Sequence, residues 1–161
     1  FDPFNQKIII DGGQNKDFQA GQPVINALGL VGQISSVFPE TSEVTLIVDK
    51  KMSVPIQIQR NGLRAITNGN GQNETISLSY LPNSIDVIIG DVLKTSGIDM
   101  IYPEGIAVAE VLEIYNNPNL PFAKIICKPI SAIRNHTHVL VVTPINKIAN
   151  NVAPIKNDQK K

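Results

Sequence analysis

Two histidines, one cysteine and a few pairs of acids are the residues of this 161-residue chain whose types could do chemistry. His136 and His138 stand one residue apart, so in a strand they project from the same face. A metal centre would need a third ligand and hydrogen-bond partners to orient the imidazoles. Glu110 or Glu113 is available as a carboxylate, but nothing in the spacing demands it. The plainer reading is a pair of solvent-facing histidines beside Arg134, and no metal or cofactor is expected.

Nucleophilic catalysis finds less support. The last serine, Ser131, precedes both histidines. Neither the His–Asp–Ser order of chymotrypsin-type proteases nor the Asp–His–Ser order of subtilisins can be built from that arrangement. There is no Gly-x-Ser-x-Gly elbow. Cys127 lies in the apolar run Lys124–Lys128, where a buried, inert thiol is the ordinary outcome. Asp86 with Asp91, and Glu110 with Glu113, are the available carboxylate pairs, and solvated acids explain both. Asp91 reads as the acceptor of a local turn hydrogen bond. Gly69-Asn70-Gly71 is too short for a dinucleotide fingerprint and reads as a hairpin loop. Asn73-Glu-Thr75 and Asn135-His-Thr137 match the glycosylation pattern, which matters only in a eukaryotic secretory setting. No catalytic residue is expected.

The elements that would hold these residues read as strands. The chain has 24 Ile and 14 Val against 10 Leu and 9 Ala, and β-branched side chains favour a pleated, half-buried surface. Eleven Gly and eleven Pro punctuate many short segments. Strands are expected at Lys7–Asp11, Pro23–Asn26, Leu30–Val37, Glu43–Asp49, Ser53–Gln59, Leu63–Thr67 and Thr75–Ser79. Asp91–Thr95, Ile106–Tyr115, Phe122–Lys128 and Thr137–Thr143 follow. In Ser53–Gln59, Val54, Ile56 and Ile58 share one face, and Pro55 suggests an edge or a bulge. A short helical turn fits Asn83–Ile88 or Ile145–Ala149.

The two halves also echo each other. Val31–Val37 aligns without a gap on Val108–Ile114, Val44–Val48 on Ala123–Cys127, and Gly21–Val24 on Gly90–Leu93. Three matches in the same order suggest one β unit used twice. The fold class is therefore all-β, with a joint near Tyr80-Leu81-Pro82-Asn83.

Composition excludes more than it selects. Fourteen basic residues balance fourteen acidic ones, so no general attraction to nucleic acid or anionic lipid is expected. With no Trp, three Tyr and five Phe, stacking platforms for bases or sugars are scarce. One cysteine makes no internal disulfide. No apolar run approaches membrane-spanning length.

The ordered segments resemble the extracytoplasmic β domain of the MreC family of bacterial rod shape-determining proteins. Asp2–Asp11 (DPFNQKIIID) resembles the family's opening strand. Gly21–Ile25 followed by Gly29–Ile34 is the most telling block. Val44–Asp49, Val54–Ile56 and Leu78–Pro82 match the next strands and the crossover. Gly90–Gly97, Tyr102–Gly105 and Val108–Val111 match the second unit. Gln33 stands where the family often has a basic residue, and Ala109 where it often has Gly.

What the resemblance implies is a non-catalytic scaffold of the cell-elongation complex. The implied fold is two small six-stranded β-barrel-like units side by side, akin to chymotrypsin-type barrels without the triad. Residues 1–81 would form the first unit, 82–153 the second, and 154–161 a flexible tail. Family members carry a cytoplasmic segment, one inner-membrane helix and a coiled coil ahead of this domain, so the Phe1 start reads as a cut just before it, and a periplasmic location follows. Implied partners are the elongation-specific penicillin-binding transpeptidase, the membrane protein MreD, and the actin-like MreB cytoskeleton through the preceding segment, with self-association into dimers or filaments. Tyr80, Leu81, Ile98, Met100, Ile101 and Tyr102 are the expected transpeptidase contacts, because the Thr95–Pro103 loop spends apolar residues where turns usually spend polar ones. The competing reading is that they plug a barrel end. Gly29, Gly32, Gly90, Gly97 and Gly105 are expected to serve turns or close backbone approach. A ligand- or wall-fragment-binding barrel and a degenerate peptidase are the rival classes.

Overall fold

A computed structural model describes residues 6–132 and 138–143. Eleven strands account for nearly all of the regular structure there, with two 3-10 turns at Gln14–Lys16 and Gly71–Asn73. They are β1 (Lys7–Asp11), β2 (Pro23–Ile25), β3 (Leu30–Val37), β4 (Thr41–Leu46), β5 (Ser53–Ile58) and β6 (Arg64–Gly69). β7 (Ile76–Pro82), β8 (Val92–Thr95), β9 (Ala107–Tyr115), β10 (Phe122–Pro129) and β11 (Leu140–Val141) complete the set. Residues 83–88 form tight turns rather than a helix, with the Ile85 N–H donating to Pro82 O and the Val87 N–H to Ile85 O, both at 3.0 Å. Ile145–Ala149 lies outside the described residues.

The strands form two sheets. One is a five-stranded half-barrel, ordered β1-β4-β3-β2-β11, and the other a closed six-stranded barrel, β10-β7-β6-β5-β8-β9. The pairing corrects the expected division at residue 81. β5, β6 and β7 belong to the barrel with β8, β9 and β10, and the chain changes sheet at Ile47–Met52 instead. Tyr80-Leu81-Pro82 is the end of β7, inside the barrel wall, where Phe122 pairs with Pro82 and Ala123 with Leu81. The first unit is also five-stranded among the described residues, not six-stranded, and β11 returns to it after the whole barrel has been made.

Asp49 fixes the change of sheet. It is buried, with Oδ1 accepting the Lys51 N–H (2.8 Å) and Oδ2 accepting the Gln6 N–H (3.0 Å). One carboxylate thus turns the chain toward β5 and ties that turn to the start of β1. In β5 the inward residues Val54, Ile56 and Ile58 are fully buried. β8 pairs with β5 from Ile56 to Ile58, and Pro55 stands just past that ladder, where its carbonyl accepts the Ser96 N–H (3.1 Å). Buried side chains from both sheets make one continuous core.

The echo between the halves has a structural counterpart. Taken as β7-β10-β9-β8-β5, the barrel repeats the half-barrel order β1-β4-β3-β2-β11, every pair antiparallel, and β6 is the added strand that closes it. The match reaches individual hydrogen bonds. Gly21 N–H donates to Ile34 O (2.8 Å) and Ile34 N–H to Gln22 O (2.9 Å). At the aligned positions Gly90 N–H donates to Val111 O (2.9 Å) and Val111 N–H to Asp91 O (2.9 Å). The two glycines adopt φ of 92° and 93°, a left-handed turn that other residues enter only with strain.

Sheet and barrel meet backbone to backbone. A Cβ on Gly69 would lie 2.1 Å from the Asp49 carbonyl oxygen, and one on Gly29 would lie 2.3 Å from that of Ala107. Gly69→Ala is therefore expected to lower the unfolding free energy by about 1–3 kcal/mol, the usual cost of overpacking a closed site. Urea unfolding followed by circular dichroism measures it, and an unchanged midpoint would show that the backbone at Asp49 gives way to a methyl group.

Candidate functional site

The residues with chemical potential do not converge. Cys127 is fully buried on β10, and burial pushes its thiol up to about 12, which keeps it protonated and inert. Ser131 is also fully buried, and its carbonyl accepts the Asn26 Nδ2 donor at 2.6 Å. His138 is exposed just before β11, and His136 lies outside the described residues. Glu113 accepts the Tyr115 hydroxyl at 2.5 Å. No cluster of three or more His, Cys, Asp or Glu side chains suited to a metal occurs among the described residues.

The expected contact set divides. Leu81 and Tyr102 are core residues, 7% and 2% exposed, and so are withdrawn as surface contacts. Tyr102 turns inward at the end of the barrel that faces the half-barrel, and its hydroxyl donates to Gln33 Oε1 (3.4 Å). Burial raises its phenol above the ordinary range. Ile101 is half-buried against the core, while Ile98 and Met100 are exposed. Asp99 Oδ1 accepts the N–H groups of Ile101 and Tyr102 (3.1 and 3.3 Å), which bends the loop so that these two side chains point in. Tyr80 contributes its backbone to β7. A Cβ on Gly29 or Gly32 would lie 2.3 or 2.0 Å from the carbonyl oxygen of Ala107 or Thr45, respectively, and Gly90, Gly97 and Gly105 take positive φ.

The opposite end of the barrel is different. It is formed by the 59–63 turn, the 83–91 loop and the 116–121 turn. Arg60 locks the first two together. Its guanidinium donates to Asp91 Oδ1 and Oδ2 (2.9 and 3.0 Å) and to Asp86 Oδ1 and Oδ2 (2.9 and 3.1 Å). Asn61 Nδ2 donates to the Asp86 carbonyl at 2.8 Å, and Asp91 Oδ2 accepts the Ile88 N–H at 2.9 Å. The two acids read as a carboxylate pair are therefore two arms of one clamp. Hydrogen bonds from Arg60 hold both carboxyls below the usual range. Arg60 is the residue that sequence reasoning missed; its only signal is a basic residue in a hairpin turn, Arg60-Asn61-Gly62.

Around this clamp and along the outer wall of β9, large apolar side chains stay in water. Ile88, Ile89, Leu112, Tyr115, Leu120 and Phe122 are 46–67% exposed. Asn83 ties the loop to the 116–121 turn by donating to the carbonyls of Asn117 and Leu120. Two recesses of about 540 and 550 Å³ lie along β9 and β10, with Tyr115 and Lys124 bordering both. Apolar patches of this kind mark interaction surfaces.

The repeated turn supplies an internal comparison. In the half-barrel, Gln22 Oε1 accepts the Gln19 N–H at 2.9 Å, the same three-residue bond that Asp91 makes to Ile88. Gln19 and Ala20 thus occupy the places of Ile88 and Ile89. The turn is built equally well with a polar and a small residue, so its geometry does not require the two exposed isoleucines.

The model of the rod shape-determining protein MreC barrel core matches residues 1–143. The chain belongs to the MreC family. It is 35% identical over 158 residues to the cell shape-determining protein MreC of Haemophilus influenzae, covering 98% of this chain and 45% of that relative. It thus spans less than half the length of that relative. A crystal structure of MreC from Pseudomonas aeruginosa superposes with a TM-score of 0.84 at 40% identity, covering 88% of this chain and 91% of that one. A complex between penicillin-binding protein 2 and MreC from Helicobacter pylori has the same fold, with a TM-score of 0.69 at 18% identity, covering 89% of this chain and 88% of that one. An MreC barrel core accounts for both the closed barrel and the half-barrel. Among the described residues no helix is long and apolar enough to cross a membrane.

The clamp has a pH signature. Both acids have lowered folded pKa values, so the stability they contribute is present above the unfolded carboxylate range and is lost as pH falls through the folded values. The urea midpoint is expected to fall below about pH 4. Asp91→Asn, which keeps an acceptor for Ile88 as Gln22 does for Gln19, should flatten that fall in melts run from pH 7 to pH 3. An identical pH profile would remove the clamp from the account.

Proposed function

We propose that this chain is the extracytoplasmic scaffold domain of a rod shape-determining protein, and that it organises peptidoglycan synthesis by docking a penicillin-binding transpeptidase on the clamped end of its closed barrel. The observation that carries the reading is the exposed Ile88–Ile89 pair on a turn that the other half of the molecule builds from Gln19 and Ala20. The neighbouring Leu112, Tyr115, Leu120 and Phe122 extend the same surface. Family membership and the Helicobacter pylori complex supply the class of partner. The function is protein contact, with no reaction assigned to the domain.

In this reading the domain works outside the cytoplasm, and membrane attachment belongs to another part of the protein. MreD and the actin-like MreB cytoskeleton, the latter through the membrane-attached part, would be further partners, and self-association would array several scaffolds along the membrane. Ile98 and Met100, exposed at the other end, are the competing docking residues.

Capture of the cognate penicillin-binding protein 2 ectodomain on immobilised 161-residue chain tests the choice of surface. Leu112→Asp and Ile89→Asp, both at exposed positions, are expected to weaken capture at least about tenfold while leaving the thermal midpoint within a few degrees. Ile98→Asp is expected to leave capture unchanged. The reverse pattern would move the docking surface to the Thr95–Pro103 loop.

A further inference from the structure

The recess at the tip of the β9–β10 hairpin has a chemistry narrower than its apolar surroundings. It holds about 550 Å³ and is lined by Ile114, Tyr115, Asn116, Asn117, Leu120, Phe122 and Lys124. Lys124 is its only charged residue. No carboxylate among the described residues lies within ion-pair distance of the Lys124 ammonium. The nearest acid on this hairpin, Glu113, lines the neighbouring recess, which Lys124 also borders, and it accepts the Tyr115 hydroxyl.

The walls are braced before any partner arrives. Leu120 N–H donates to the Asn117 carbonyl (2.9 Å) and Asn119 N–H to Asn117 Oδ1 (2.9 Å). Asn83 fastens the same turn to the 83–91 loop. A preformed cavity with aliphatic and aromatic walls and one cation at its rim favours a ligand with an apolar body and a single negative group. With Lys124 the only charged residue lining the tip recess, a neutral or basic ligand is the weaker fit.

We propose that the tip recess binds an extended segment of the protein partner in which a large apolar side chain stands next to an aspartate or glutamate, the apolar group filling the recess and the carboxylate pairing with Lys124. This deepens the docking reading above and rests on it for the class of partner. Specificity then comes from charge at Lys124, while affinity comes from the apolar walls.

The test is a chemical-shift titration of the isotope-labelled 161-residue chain with two peptides, Ser-Leu-Glu-Phe-Ser and Ser-Leu-Lys-Phe-Ser, at low salt. The glutamate peptide is expected to bind about tenfold more tightly, with shifts centred on Tyr115, Leu120, Phe122 and Lys124. Lys124→Glu, at an exposed position, should invert the preference. Equal binding of the two peptides, shifts centred elsewhere, or a preference that survives Lys124→Glu would overturn the proposal. Capture of penicillin-binding protein 2 by Leu112→Asp, measured in parallel, separates the two ideas. Lost capture with no peptide preference overturns the recess and leaves the docking surface standing. A Lys124-dependent preference with undiminished capture supports the recess and removes the docking surface.

Discussion

A carbonyl oxygen facing a glycine Cα is the contact on which the arrangement of the two sheets depends. It occurs at Ala107 against Gly29 and at Asp49 against Gly69, and at neither place is there room for a methyl group. Main chain resting on main chain leaves almost no freedom to slide, because packed interiors do not deform continuously. Gly71 adds a direct bond, its N–H donating to Val48 O at 2.7 Å. Two of these contacts are made by Val48 and Asp49, within the sheet change at Ile47–Met52, so the barrel is fastened to the passage that leads into it. The buried Asp49 carboxylate, held by two backbone N–H groups, keeps that passage in one conformation.

With one barrel end committed to this joint, the other is free to face a partner, and the two ends use apolar residues in opposite ways. At the joint, Tyr102 and Ile101 turn inward under the direction of Asp99. At the far end, Ile88 and Ile89 turn outward although the turn does not need them. Exposed isoleucines on a loose loop would gain by folding back onto the barrel. Arg60 opposes that by holding Asp86 and Asp91 on either side of them, which keeps the pair presented at little further entropic cost on binding. Asp91 is the step that makes this arrangement differ from its counterpart: the aligned Gln22 makes the same turn bond but offers no charge for an arginine to find.

The strands were legible because β-branched residues and Gly or Pro punctuation mark them directly, and the alternation in Ser53–Gln59 identified three inward residues correctly. The echo between the halves was partly legible. Aligning Val24 with Leu93 and Gly32 with Ala109 reproduces the register, since Val24 pairs with Gly32 and Leu93 with Ala109. The third match is off by four residues, because Ile34 pairs with Val44 while its counterpart Val111 pairs with Cys127, not Ala123. Runs of Ile and Val look alike at any offset, and no turn residue anchors that strand. The boundary was misplaced for a related reason: β5 to β7 have no partner in the echo, so only pairing across the closed barrel assigns them. Of the surface set, Leu81 and Tyr102 failed because an apolar residue in a loop reads the same whether it plugs a barrel or faces a partner.

The added strand, β6, links these observations. Without it, β5 and β7 would each expose an edge, as β11 and β1 have no further strand beside them among the described residues. Closing the barrel removes those edges as templates for unwanted pairing. It also brings the 59–63 turn, which joins β5 to β6, to the barrel end that carries the 83–91 loop. Arg60 stands in that turn. The strand that completes the barrel therefore also delivers the cation that holds the exposed isoleucines in place, and the half-barrel, which lacks a counterpart of β6 among the described residues, has at its equivalent turn neither the arginine nor the apolar pair.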